Sequence, residues 1–160
     1  MVFKSNNIVF DSCEFSHLGS GGLRLSDGVN KVTVQYCVFG DISSHAIQLG
    51  NGPDSCDERD AVKQNRDLLV HNNRVWKAGV EYSGGSLLYS GVVKNAVYRN
   101  NYLKANEYSG VCIGARTPES CYGGNLEFHS NVVEDPVRTL RDGMVPVCFS
   151  SESITVQAYT

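Results

Sequence analysis

A pattern of alternating apolar residues occurs five times in this chain, and it constrains the fold more than any single residue does. Each copy contains one position, called here the slot, which is filled by Cys13, Cys37, Asn73, Asn101 or Asn131. Apolar residues stand three and five positions before every slot: Phe10, Val34, Val70, Tyr98 and Phe128, and Ile8, Val32, Leu68, Ala96 and Leu126. Such a repeat indicates one structural unit stacked on itself.

Each copy is built from short strands, and a third alternating segment follows in residues 22–25, 46–49 and 110–113. Three short strands per copy, separated by turns rich in Gly, Asn and Ser, are typical of a parallel β-helix. The slots are 24, 36, 28 and 30 residues apart, which is too irregular for a left-handed hexapeptide helix. We therefore predict an all-β chain, a right-handed parallel β-helix (a solenoid) of about five to six coils. It would form a single domain over residues 1–160.

The apolar pattern begins at Ile8, and neither a signal peptide nor a membrane-spanning run precedes it. At the other end, Ile154 and Val156 resemble the first strand of a further coil. We therefore expect the chain to be a fragment of a longer β-helix, truncated at both ends.

The polar slots need a physical reason, because a buried amide without partners costs about 1–3 kcal/mol. In stacked coils, Asn73, Asn101 and Asn131 can hydrogen-bond to one another along a ladder and to the turn backbone, so we assign them a structural role. Cys13 and Cys37 fill the same slot. They could pack as buried thiols or form a bridge between coils about 4.8 Å apart, and the sequence leaves both open.

Charge and motifs exclude several classes of function. The 14 basic and 17 acidic residues are mixed along the chain and give a net charge of −3, which argues against nucleic acid or an anionic membrane as partner. No P-loop, nucleophile elbow or dinucleotide fingerprint is present. The four histidines are scattered and no C-x-x-C pair occurs, so we predict no zinc site.

Two loops interrupt the repeat, at residues 51–64 and 115–124. Each directly follows a third strand, so both should leave the same edge of the solenoid, and such insertions often form a binding face. The first loop contains four acidic residues, Asp54, Asp57, Glu58 and Asp60. Calcium binding is one interpretation and a solvated loop is the other, since their spacing matches no defined calcium-binding loop.

Fold motifs in segments 30–39, 45–50, 71–73, 99–101, 108–111 and 128–135 resemble a known family. It is that of the secreted right-handed β-helix proteins of the pectate-lyase superfamily, and the nearest branch is the bacterial β-helix glycoside hydrolases. The resemblance implies an extracellular or cell-surface protein that acts on a polysaccharide or oligosaccharide. It also implies glycoside hydrolysis by paired carboxylates without a cofactor.

Three acidic residues are candidates for that chemistry, which needs two carboxyl groups at a defined separation. The segment Arg141-Asp142-Gly143 resembles the Asp-x-Gly segment of those hydrolases. Glu81 and Glu107 each begin the tetrapeptide Glu-Tyr-Ser-Gly on successive repeats, and equivalent placement would stack them on one edge. We predict Glu107 and Asp142 as acid and base or nucleophile, with Glu81 as third candidate.

Five further residues are candidates for substrate binding: Tyr82, Tyr108, His129, Arg116 and Arg141. The two tyrosines of the repeated tetrapeptide could offer an aromatic platform to a sugar ring. Arg116 is the cationic loop residue that a lyase would use as its base. Two alternatives remain, namely a non-catalytic carbohydrate-binding or adhesin module and a calcium-dependent polysaccharide lyase.

Overall fold

The computed structural model describes residues 1–50, 64–113 and 124–135 and the backbone of strands 147–149 and 154–157. Within these ranges the regular structure consists of seventeen strands in three parallel sheets. Sheet I contains β1 (Val2–Phe3), β4 (Leu23–Ser26), β7 (Ile47–Leu49), β10 (Leu88–Ser90), β13 (Val111–Ile113) and β16 (Val147–Phe149). Sheet II contains β2 (Asn6–Asp11), β5 (Asn30–Gln35), β8 (Asn65–His71), β11 (Val93–Arg99), β14 (Leu126–His129) and β17 (Ile154–Gln157). Sheet III contains β3 (Glu14–Leu18), β6 (Val38–Ile42), β9 (Arg74–Ala78), β12 (Tyr102–Asn106) and β15 (Val132–Glu134).

The chain visits sheets I, II and III in turn and then begins the next coil, so the fold is a parallel β-helix. Its hand is right, as is usual for crossovers between parallel strands of one sheet. Pairing between neighbouring coils follows the sequence repeat. Val32 pairs with Leu68, Leu68 with Ala96, and Ala96 with Leu126. The predicted fold class and the predicted alignment of the repeats are therefore confirmed.

Apolar side chains from all three sheets fill the centre of the solenoid. The fully buried ones include Leu25 and Leu49 from sheet I, Val34 and Tyr98 from sheet II, and Phe39 from sheet III. Because successive residues of a strand point to opposite faces, the residues between them form the outer surface. Each coil therefore exposes three outer faces, and each turn lies at a corner between two of them.

The Asn ladder forms at the corner between sheets II and III. Asn73 Nδ2 donates to Asn101 Oδ1 (3.0 Å), and Asn101 Nδ2 donates to Asn131 Oδ1 (2.9 Å). The same amides donate to the backbone, from Asn73 to Val34 O and from Asn101 to Val70 O. The structural role predicted for these residues is confirmed. In the first two coils the slot holds Cys13 and Cys37, which are free thiols and not a disulfide.

Left-handed backbone recurs at each corner of the solenoid. Among the described residues, fifteen non-glycine residues with φ between 48° and 58° fall into three columns, one per corner. The columns are 7, 31, 67, 95 and 125; 12, 36, 72, 100 and 130; and 17, 41, 77, 105 and 135. A single residue in this conformation bends the strand. Asn and Asp tolerate it best, which accounts for their abundance here.

Candidate functional site

The strands of sheet I are connected to the other two sheets at two corners of the solenoid. The insertion at 51–63 follows β7 in the chain and the loop at 114–123 follows β13, so both begin after the C-terminal ends of sheet I strands, as predicted. On the opposite edge, the turn between β9 and β10 spans residues 79–87 and precedes a sheet I strand. The outer face of sheet I, called here the sheet I face, lies between these two edges.

Glu81 and Glu107 lie on that opposite edge, at the corner between sheets III and I. Their turns belong to neighbouring coils, because Ala78 pairs with Asn106 and Leu88 pairs with Val111. The two glutamates do not occupy equivalent positions, however. Glu107 directly follows Asn106, whereas Glu81 comes three residues after Ala78. The equivalence expected from the repeated tetrapeptide therefore does not hold, because the earlier turn is five residues longer (nine residues, 79–87, against four, 107–110).

The turn that carries Glu107 is fixed by its buried neighbour. Asn106 is fully buried, and its Nδ2 donates to Ser109 O (2.8 Å) and to Gly85 O of the preceding coil (3.0 Å). Glu107 and Tyr108 are half-buried beside it. The backbone of this turn is therefore fixed at Glu107, and a fixed backbone suits a residue that must meet a substrate in a defined geometry.

The turn that carries Glu81 and Tyr82 packs onto the coil before it. Tyr82 N–H donates to Ser43 O (2.8 Å) and Gly79 N–H to Ser44 O (3.0 Å). Glu81 and Tyr82 are both exposed, Tyr82 by 57%. Their side chains are therefore accessible to a ligand at the edge of the sheet I face, but they lack the support that Asn106 gives to the turn of Glu107.

His45 joins the same corner, and the sequence did not single it out. Its Nδ1 accepts a hydrogen bond from the backbone N–H of Ser86 (3.0 Å). The centroid of its ring lies 4.9 Å from the ring centroid of Tyr89. Burial lowers the pKa of His45, and the positive charge of Arg24 lowers it further. At neutral pH the imidazole is therefore uncharged, with Nδ1 as acceptor and the proton on Nε2.

Next to His45, a row of polar side chains crosses the sheet I face. Arg24, Gln48 and Tyr89 occupy the outward position of three successive sheet I strands, β4, β7 and β10. This row supplies a cation, an amide and a phenol on one face. A row of this kind can hydrogen-bond to the hydroxyl groups of a bound sugar. Arg24 and Gln48 are the middle residues of predicted third strands, and their alternation with apolar residues was the signal for an outward position.

His129 lies on a different face of the solenoid. It ends β14 on the outer side of sheet II, in register with His71 and Arg99. Its Nε2 is 3.9 Å from a carboxylate oxygen of Glu127. The structure therefore does not bring His129 to the sheet I face, at whose edge Glu107 lies. Asp142, Arg141 and Arg116 lie outside the described residues, and Asp142 and Arg141 precede the sheet I strand β16 in the chain.

A polar groove of about 530 Å³ lies at the corner between sheets I and II. Lys31, Arg66 and Lys94 contribute three cations to its lining, and Asp67 contributes one carboxylate. Arg66 is oriented by Asn30, whose Oδ1 accepts from its Nε (2.8 Å). Gln64, which directly follows the 51–63 insertion, also lines it, so the groove marks the base of that insertion.

No metal site can be assigned within residues 1–50, 64–113 and 124–135, where no three His, Cys, Asp or Glu side chains form a group that could hold an ion. The acidic residues 54, 57, 58 and 60, on which the calcium alternative rests, lie outside these ranges. Across the described part of the chain, no helix has the length and apolar character needed to span a membrane.

Comparison with known proteins supports the architecture. No family model matches the chain, and no curated protein matches it. A solved structure described as "Glycoside hydrolase" is similar, with a TM-score of 0.73 and 24% sequence identity. The similarity covers 85% of this chain but 24% of that one, so the chain spans about a quarter of its neighbour's length. This likeness shows a shared fold, the right-handed parallel β-helix.

Proposed function

We propose that this chain is part of an extracellular carbohydrate-active enzyme, a glycoside hydrolase whose substrate lies across the outer face of sheet I. The observation that carries the proposal is the half-buried Glu107, whose turn is fixed by Asn106 at the edge of the sheet I face, beside the outward row of Arg24, Gln48 and Tyr89. The solved neighbour described as a glycoside hydrolase supports the class of activity.

The chemistry needs two carboxyl groups with different protonation states. One must donate a proton to the leaving oxygen, and the other must act as nucleophile or activate a water molecule. Glu107 is the first of the pair and Asp142 the second, with Glu81 as alternative partner. A separation of about 5–5.5 Å would give retention of configuration and about 6.5–9.5 Å would give inversion.

The sheet I face would orient the sugar. Arg24, Gln48 and Tyr89 offer donors and acceptors in one row, and neutral His45 offers a proton on Nε2. Tyr82 and Tyr108 lie on the same edge as the two glutamates and provide aromatic surface. Arg141, Arg116 and His129 remain predicted contacts, His129 to a portion of the ligand that extends around to sheet II.

The test is hydrolysis of plant and algal glycans by the protein and two matched variants, Glu107→Gln and Asp142→Asn. Each substitution keeps the shape of the side chain and removes its ability to ionise. We expect either change to lower kcat/KM by about a hundredfold or more, since acid–base catalysis contributes about 10²–10⁴-fold. Glu14→Gln, at an exposed position on sheet III, is the control and should retain full activity.

Full activity in Glu107→Gln would remove this residue from the mechanism. Binding of a glycan without any hydrolysis would favour the alternative of a carbohydrate-binding or adhesin module. Formation of an unsaturated product that depends on added calcium would favour the polysaccharide lyase.

A further inference from the structure

The outer face of sheet III contains the only tryptophan of the chain, Trp76. This residue is 39% exposed at an outward position of β9, and it pairs with Gly40 on β6 and with Lys104 on β12. Sheet III forms a different side of the solenoid from the sheet I face. The proposed hydrolase therefore leaves this tryptophan without a role.

Gly40 lets the indole lie flat on the sheet. A Cβ atom built on Gly40 would stand 2.7 Å from the Cε2 and Cζ2 atoms of Trp76 and 2.9 Å from its Nε1. Three neighbouring ring atoms can be this close to one point only if the point lies over the face of the ring. One face of the indole therefore rests on the backbone at Gly40, and this packing fixes the ring without any side chain beneath it.

Polar groups adjoin the ring on the neighbouring strands. Glu134 Oε2 accepts from the hydroxyl of Tyr102 (2.8 Å) and pairs with Nζ of Lys104 (3.0 Å). Both contacts use the same oxygen, so among the described residues Oε1 is left to accept from a ligand. Lys104 and Glu134 offset each other's charge beside the ring.

We propose that Trp76, with Tyr102, Lys104 and Glu134, forms a non-catalytic binding surface, here the Trp76 platform, for a neutral oligosaccharide. A flat aromatic face with hydrogen-bonding groups at its edge matches a sugar ring, which presents C–H groups on one face and hydroxyls around its rim. The proposal shares with the hydrolase only the expectation of a carbohydrate ligand and does not depend on Glu107.

The chemistry of the surface favours a saccharide over a protein partner. The row that contains Trp76 also holds Ser16, Lys104 and Glu134 at outward positions of the neighbouring strands. The core of a protein interface is instead depleted of charged residues and rich in aromatic ones.

Because Trp76 is the only tryptophan, its fluorescence reports on this platform alone. The experiment titrates the Glu107→Gln variant, which prevents turnover, with xylo-, cello- and manno-oligosaccharides and follows tryptophan emission and, in parallel, heat of binding. We expect a saturable change in emission with at least one of these series. Trp76→Ala should weaken that binding by about tenfold or more, as loss of an aromatic contact implies.

Two variants separate the platform from general effects on folding. Gly40→Ala places a methyl group against the indole and should weaken binding while the thermal midpoint stays close to wild type, because the ring can tilt outward. Val9→Ala, at an exposed apolar position on sheet II, should bind normally.

Unchanged emission with all three series would overturn the platform, as would equal binding heats for Trp76→Ala and its parent. Either result leaves the hydrolase proposal standing if glycans are still cleaved. A saturable emission change in a protein that hydrolyses no glycan would instead support the platform and contradict the hydrolase proposal.

Discussion

The side-chain oxygen of Asn101 accepts two hydrogen bonds from Asn73, one from its backbone N–H (3.1 Å) and one from its side-chain Nδ2 (3.0 Å). The two residues are 28 positions apart in sequence and one coil apart in space. Through this ladder the coils that contain Asn73, Asn101 and Asn131 are held in register along the axis of the solenoid. The relative positions of the turns that carry Glu81 and Glu107 therefore depend on it.

Removal of one rung of the ladder should be costly. Asn101→Ala removes the acceptor of the buried Asn73 backbone N–H and of one Nδ2 hydrogen of Asn73, and it removes the donor to Val70 O. We therefore expect the free energy of unfolding to fall by about 2–4 kcal/mol. Urea unfolding measures the loss. Asn6→Ala, the same change at an exposed residue, should alter it by less than about 0.5 kcal/mol. Equal effects at the two positions would contradict a structural role for the ladder.

Asn106 should act as a positioning residue for Glu107. In Asn106→Asp, an acceptor replaces the Nδ2 donor that faces the carbonyls of Gly85 and Ser109, so the turn should shift. We expect kcat on a cleaved glycan to fall about tenfold or more, since small misplacements of catalytic groups are costly. KM should change little, because Asn106 fixes the turn of Glu107 and is not expected to touch the substrate. An unchanged kcat with a lower thermal midpoint would instead indicate a purely structural role.

Protonation of His45 should destabilise the fold. Because the pKa of His45 is lowered in the folded protein, the unfolded chain binds its proton first as pH falls through the ordinary histidine value of about 6.5. The stabilisation is therefore complete above that value and decreases below it. His45→Asn retains an acceptor for Ser86 N–H but cannot titrate. Thermal midpoints measured across this range should decline less steeply in the variant, and identical slopes would refute the assignment.

The sequence predicted the coils well because their cause is periodic. Inward residues such as Val34, Val70 and Tyr98 must alternate and recur wherever coils stack, and the buried amides of Asn73 and Asn101 must have partners. The same logic predicted the edge from which the inserted loops leave. β10 was not predicted, because Ser86 and Ser90 interrupt its apolar pattern and are buried in polar contacts that only the fold reveals.

The site was less predictable because it depends on the turns, whose lengths vary from coil to coil. Identical tetrapeptides at Glu81 and Glu107 suggested identical positions, yet the lengths of the two turns differ. His45 belongs to the site because it contacts the backbone N–H of Ser86, 41 residues away in sequence. Trp76 forms a platform because its ring packs on Gly40 of another coil. Neither relationship leaves a mark in local sequence.

The columns of left-handed residues provide a separate test of the corners. Lys77 is exposed with φ of 52°, a conformation that asparagine adopts more readily than lysine. Lys77→Asn should therefore stabilise the protein by up to about 1 kcal/mol, measured by urea unfolding. Lys94→Asn is the matched control on strand β11, where asparagine has the lower strand propensity and should not stabilise. A gain at Lys94 equal to that at Lys77 would contradict the backbone assignment.

The most direct test of the account is whether residues one coil apart are neighbours on the outer surface. Thr33 and Leu69 are directly paired on β5 and β8. Their Cα atoms should lie about 4.8 Å apart, within the range of about 4.4–6.8 Å that a disulfide needs. We expect the Thr33→Cys/Leu69→Cys variant to form that disulfide in good yield on mild oxidation, as detected by mass spectrometry of unreduced peptides. The control is Thr33→Cys/Glu127→Cys, whose positions are three strands or about 14 Å apart, and it should not form a disulfide. Equal cross-linking in both variants, or none in the first, would contradict the stacked coils on which the proposed site depends.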